Sequence, residues 1–118
     1  MKIILFALSM SLPVISFAKL PQVCNCSMQS HSDMIDCIQT STNKTEDSIK
    51  EIITKSGKEY SIDMAFYNSQ RKSISERCSL YNSMEGQRTD LIENQCEYDG
   101  VERLNDFMKT YMKTVDNY

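Results

Sequence analysis

An all-α domain, a small antiparallel helical bundle or hairpin with a disulfide-tethered N-terminal arm, is the fold this sequence predicts. Three observations predict it. Apolar residues recur at three- and four-residue steps over two long stretches, as the core face of an amphipathic helix requires. No stretch shows the sustained alternation of β-branched residues expected of a strand. Five cysteines stand in a chain of 118 residues, enough to staple a core of this size.

The first element is an export signal. Lys2 supplies a positive start, Ile3 to Ile15 an apolar stretch, and Ser16-Phe17-Ala18 ends on a small residue suited to signal peptidase. Residues 1–18 therefore read as a cleavable signal peptide and residues 19–118 as a single disulfide-stapled helical domain, periplasmic or secreted. The leader is too short, and too polar at Ser9, Ser11 and Pro13, to remain as a membrane span. Lys19 to Ser30, with Pro21, reads as an extended arm.

Ser30 or Ser32 can cap a first helix through Met34, Ile35, Cys37 and Ile38, by accepting from a free backbone N–H, and Thr40 to Asn43 weakens it. A second, longer helix is expected from an N-cap at Thr45, with Glu46 and Asp47 suiting the positive end of its dipole. Its stripe is Ile49, Ile52, Ile53, Tyr60, Met64, Tyr67, Ile74, Cys78 and Tyr81, and Gly57 marks a place where it can break. Asn82 to Gln87, with Gly86, reads as a turn. Thr89 or Asp90 then caps a third helix with the stripe Leu91, Ile92, Tyr98, Val101, Leu104, Met108, Tyr111, Met112 and Val115, which Asp99-Gly100 can bend. No repeat, low-complexity tract or linker divides the chain.

The export signal decides how the cysteines are read, because disulfides form outside the cytosol. Cys78 and Cys96 flank the expected turn, so a bond between them clamps a helical hairpin. Cys37 reaches back into the arm, with Cys26 the favoured partner and Cys24 the alternative. The fifth cysteine, Cys24 in the favoured arrangement, is then free or links two chains in a disulfide-bonded dimer. A zinc site from Cys24, Cys26, His31 and Cys37 is the competing reading, weakened by the exported setting and by a Cys-x-Cys spacing tighter than usual.

Catalytic signatures are missing. His31 is the sole histidine and reads as a solvated residue near a helix start. The acid pairs Asp33 with Asp36 and Glu93 with Glu97 read as helix-surface charges. Three glycines leave no phosphate loop, and no cofactor is implied. Asn25-Cys26-Ser27 and Asn43-Lys44-Thr45 match glycosylation sequons that arise often by chance. The chain carries a net charge of −3, which becomes −4 once Lys2 leaves with the signal peptide. That disfavours nucleic acid and anionic membranes and suits a cationic protein partner.

The order Cys26, then Asp33-Met34-Ile35-Asp36-Cys37 opening a helix, a long helix ending near Cys78, a glycine turn to Cys96, and Arg103 before an apolar position resembles the LprI-like lysozyme-inhibitor N-terminal domain, over roughly Cys26 to Met108. The sequence departs from that family in having no tryptophan, with Ser69-Gln70-Arg71-Lys72-Ser73-Ile74 ahead of Cys78, and in reducing the usual Gly-Ser to Gly86-Gln87. The resemblance implies Cys26, Cys37, Cys78 and Cys96 as structural cysteines and no catalytic residue. It implies a non-enzymatic exported binding protein whose partner is lysozyme or another cationic cell-wall hydrolase. The alternatives are an immunity protein against a delivered toxin and, less favoured, a small secreted hydrolase.

Overall fold

The computed structural model describes Cys24, residues 30–86 and residues 88–118; the proposed signal peptide and Cys26 lie outside the described residues. Three α-helices account for most of them: α1 over His31–Tyr60, α2 over Met64–Cys78 and α3 over Arg88–Asp116, with a 3-10 turn at Ser79–Ser83 between α2 and α3. No strand occurs among the described residues. The all-α expectation stands.

α1 begins where a hydroxyl is available. Ser30 has extended backbone angles and its side chain accepts from the Asp33 N–H at 3.0 Å, which satisfies one of the free donors of the first turn. Contrary to the sequence reading, the helix does not weaken at Thr40 to Asn43 or restart at Thr45. Ser41, Thr42 and Thr45 turn their hydroxyls onto the carbonyls of Cys37, Ile38 and Ser41, one turn back, so these residues are satisfied within the helix and lie buried. Thr45 is thus an interior residue, and its hydroxyl also donates to Glu102 on α3 at 2.6 Å.

The break comes at Ser61 rather than Gly57. Ser61 adopts the left-handed conformation (φ 59°), and the N–H groups of Ser61 and Ile62 both turn back to the Gly57 carbonyl. Gly57 is needed for a different reason: a Cβ there would run into the Ile62 backbone oxygen. The Tyr111 hydroxyl of α3 donates to the Tyr60 carbonyl at 2.8 Å, closing the end of α1. Asp63 then caps α2 by accepting from the Phe66 N–H at 2.9 Å.

α3 starts at Arg88, so Thr89 sits in its first turn, buried, with its hydroxyl on the Met84 carbonyl. The helix runs unbroken through Asp99-Gly100. Gly100 instead allows close packing, since a Cβ there would lie 2.6 Å from Ile74 Cγ2 of α2.

α3 packs against both other helices, and the core forms along it. Ile49 and Ile53 of α1, Ile62 of the connection, Tyr67, Ile74 and Cys78 of α2, and Val101, Leu104 and Met108 of α3 make one buried cluster. Ile38 and Cys24 are buried outside it. Three residues assigned to the apolar stripes, Met64, Tyr81 and Val115, prove exposed because each lies at or near the end of its helix or in the 3-10 turn. Asn105 is buried in α3, and its Oδ1 finds no hydrogen-bond partner among the described residues.

Candidate partner-binding surface

The cysteines fix the frame. Cys78 and Cys96 are bonded, with Cα atoms 5.6 Å apart, tying the end of α2 to α3 across the 3-10 turn. Cys37 is bonded to Cys24, not to Cys26, with Cα atoms 5.7 Å apart. Spacing alone did not decide between the two arm cysteines, which stand two residues apart. Cys24 is consequently committed within the chain and buried, which removes the proposed dimer through it and leaves Cys26 as the odd cysteine by count. The thiols of Cys24 and Cys37 are no longer free to ligate zinc, and no group of three or more potential metal ligands occurs among the described residues.

A partly buried ionic clamp joins all three helices. Arg71 of α2 reaches Glu46 of α1 through Nε at 2.6 Å and Glu97 of α3 through its terminal nitrogen at 2.7 Å, while its other terminal nitrogen donates to Ser75 at 2.8 Å. The Tyr67 hydroxyl donates to the same Glu46 oxygen at 2.6 Å, and Lys50 stands over the Tyr67 ring. Burial pushes the Glu46 carboxyl up, but the hydrogen bonds from Tyr67 and Arg71 and the charges of Arg71 and Lys50 outweigh it and hold the pKa below its ordinary value. Burial and the Glu46 carboxylate push Tyr67 well above its ordinary value, keeping it a neutral donor. Arg71 is also raised: burial works against its charge, and the two carboxylates more than restore it. These groups satisfy one another, so the clamp sets the helix arrangement and is not open to a ligand.

The other charged candidates are dispersed. His31 is the exposed first residue of α1. Asp33 and Asp36 are exposed on the first turns of the same helix, Glu97 is held by Arg71, and Glu93 accepts from Asn82. The acid pairs singled out in the sequence therefore do not form a cleft.

What α2 and α3 do present is a groove of about 270 Å³ running between them, floored by Ile74, Gly100 and Leu104 and walled by Phe66, Gln70, Arg77, Arg103 and Phe107. It adjoins a second, more apolar notch of about 170 Å³, which shares Phe66 and Phe107 and ends on Ile62 and Tyr111. The rings form a ladder, Phe66 to Phe107 at 6.4 Å and Phe107 to Tyr111 at 6.2 Å between centroids, yet Phe107 is 53% exposed. Aromatic and arginine side chains around a preformed concavity are the residue types that carry binding energy in protein interfaces. Arg103 and Phe107, one helical turn apart, are the only sequence signal for this face, and nothing in the sequence alone brings Arg77 beside them. The 3-10 turn offers a second apolar feature, with Leu80 73% and Met84 48% exposed beside Tyr81.

No described helix is long and apolar enough to cross a membrane. Residues 28–117 match the model of the family described as antitoxin TsiV3. The chain is also 35% identical over 94 residues to the antitoxin protein TsiV3 of Vibrio cholerae serotype O1 (strain ATCC 39315 / El Tor Inaba N16961), covering 80% of this chain and 77% of that protein. These matches overturn the resemblance to the LprI-like lysozyme-inhibitor domain. The spacing that carried it reports how a small helical hairpin is clamped and says nothing of the ligand.

Proposed function

This chain belongs to the antitoxin TsiV3 family, and from that premise we propose that it is an immunity protein that binds and neutralises a toxin delivered by a competing cell. The observation that carries the reading is the 35% identity to an antitoxin over most of both chains. Neutralisation by this protein is stoichiometric and non-enzymatic: it occludes the toxin with a rigid helical surface. The groove and the exposed turn supply such a surface. Two intrachain disulfides suit an oxidising compartment, and with the leader at residues 1–18 they support residues 19–118 acting in the periplasm.

The test uses the toxin gene that the immunity reading expects beside this one, expressed with an export signal in a bacterial host. Co-expression of the full chain restores growth, and the same chain without residues 1–18 does not. Purified mature protein and purified toxin co-elute as a stoichiometric complex on gel filtration. Toxicity undiminished by the full chain, with no complex formed, contradicts the reading.

A further inference from the structure

We propose that the groove between α2 and α3 is where the toxin docks, and that it receives a toxin segment presenting a carboxylate beside an aromatic or branched aliphatic side chain; this rests on the immunity reading above.

Charge is the first argument. The chain is acidic overall, with 16 carboxylate residues against 13 lysines and arginines. The groove reverses that sign: Arg77 and Arg103 line it, and no Asp or Glu does. Among the described residues neither arginine has a carboxylate within ion-pairing distance, and Arg77 makes only a 3.3 Å hydrogen bond to Ser73. Arg71, on the same helix, shows the contrast, with both its fork nitrogens spent on Glu46 and Glu97. Two guanidinium groups left unpaired across one concavity present planar donors suited to a carboxylate.

The apolar half of the site is the second argument. Ile74 and Leu104 floor the groove, and Phe66 and Phe107 extend it into the adjoining notch. The ring ladder holds Phe107 in place while leaving it half exposed, so little side-chain freedom remains to be lost on binding. An arginine pair beside aromatic rings would also suit a nucleic acid, but the net negative charge of the chain opposes a polyanion. A single carboxylate on an otherwise apolar segment meets the local positive charge without that penalty.

The experiment measures affinity calorimetrically between the mature, disulfide-intact protein and the toxin that the immunity reading expects to be encoded beside it. Arg77→Glu with Arg103→Glu lowers affinity by at least about 100-fold, and Phe107→Ala by about 10-fold or more. Arg77→Gln with Arg103→Gln gives an intermediate loss and a weaker salt dependence of association. Leu80→Ser, on the 3-10 turn, stays within about threefold of the parent. Both arginines are exposed, so circular dichroism should show unchanged unfolding for their variants; if the Glu pair fails to fold, the Gln pair decides. Tight binding by the parent together with undiminished binding by the arginine variants overturns the groove assignment alone. A loss confined to Leu80→Ser moves the site to the turn and overturns it likewise. No binding by the parent overturns the immunity reading, and this inference with it.

Discussion

Arg71 shows how one side chain can decide the arrangement of three helices. Its guanidinium stands between Glu46 and Glu97, and removing it would leave two partly buried carboxylates facing each other's helices without a counter-charge. Arg71→Met should therefore destabilise the protein by about 2–3 kcal/mol in urea titration, less than for a fully buried pair because all three side chains keep some water contact. The same network sets the acid limit. A carboxyl whose pKa is lower in the fold than in the unfolded chain stabilises the fold fully above its unfolded value, and the contribution is lost as pH falls through the folded one. Glu46 is such a group, with an ordinary value of 4.5. Stability should hold between about pH 6 and pH 5 and fall steeply below about pH 4.5, while Glu46→Gln starts from a lower stability and shows a shallower acid slope. None of this was legible in the sequence, where Glu46 reads as a helix-start acid and Arg71 is given no role. Only the fold brings residues from three helices to one point.

At the scale of the helices, periodicity and capping chemistry made most of the architecture readable: the helical class, a cap at Ser30 or Ser32 and the stripe through Val101, Leu104 and Met108 all follow from local pattern. The ends were harder. The sequence marks Gly57 as a breaker, yet the chain turns at Ser61, a residue with no intrinsic liking for the left-handed conformation it adopts. Ser61→Gly should raise stability by about 0.5–1 kcal/mol, read from the thermal or urea midpoint. Gly57→Ala should do the opposite. Alanine gains about 1 kcal/mol of helix propensity, but its Cβ meets the Ile62 backbone oxygen, which cannot swing aside as a side chain does. A net loss of about 1–3 kcal/mol is expected. The unbroken run through Thr40 to Asn43 was hidden for the converse reason. Hydroxyl residues read as helix-weakening until their side chains are seen to bond one turn back.

Across the whole molecule, the bond between Cys78 and Cys96 spans the only connection between α2 and α3 and so guards the groove those helices form. Replacing both by serine should cost about 3 kcal/mol in denaturant titration. Reduction of the parent protein should lower stability by at least as much, since it also opens the bond between Cys24 and Cys37. Which arm cysteine pairs could not be read from spacing, because Cys24 and Cys26 stand two residues apart and either is near enough in sequence to reach Cys37. Peptide mapping without reduction should recover Cys24 joined to Cys37 and leave Cys26 open to alkylation.

The central position of α3 has a consequence in time as well as in space. α1 and α2 meet through the polar contacts of Glu46 and Lys50 with Tyr67 and Arg71, and both close against α3, which follows them along the chain. Until Val101, Leu104 and Met108 have been synthesised, the cluster that buries Ile49, Ile53, Tyr67 and Ile74 lacks its α3 side. A lone helix the length of α2 is marginal in water. The protein therefore cannot fold helix by helix as it is made. Its core is complete only once its last helix is present.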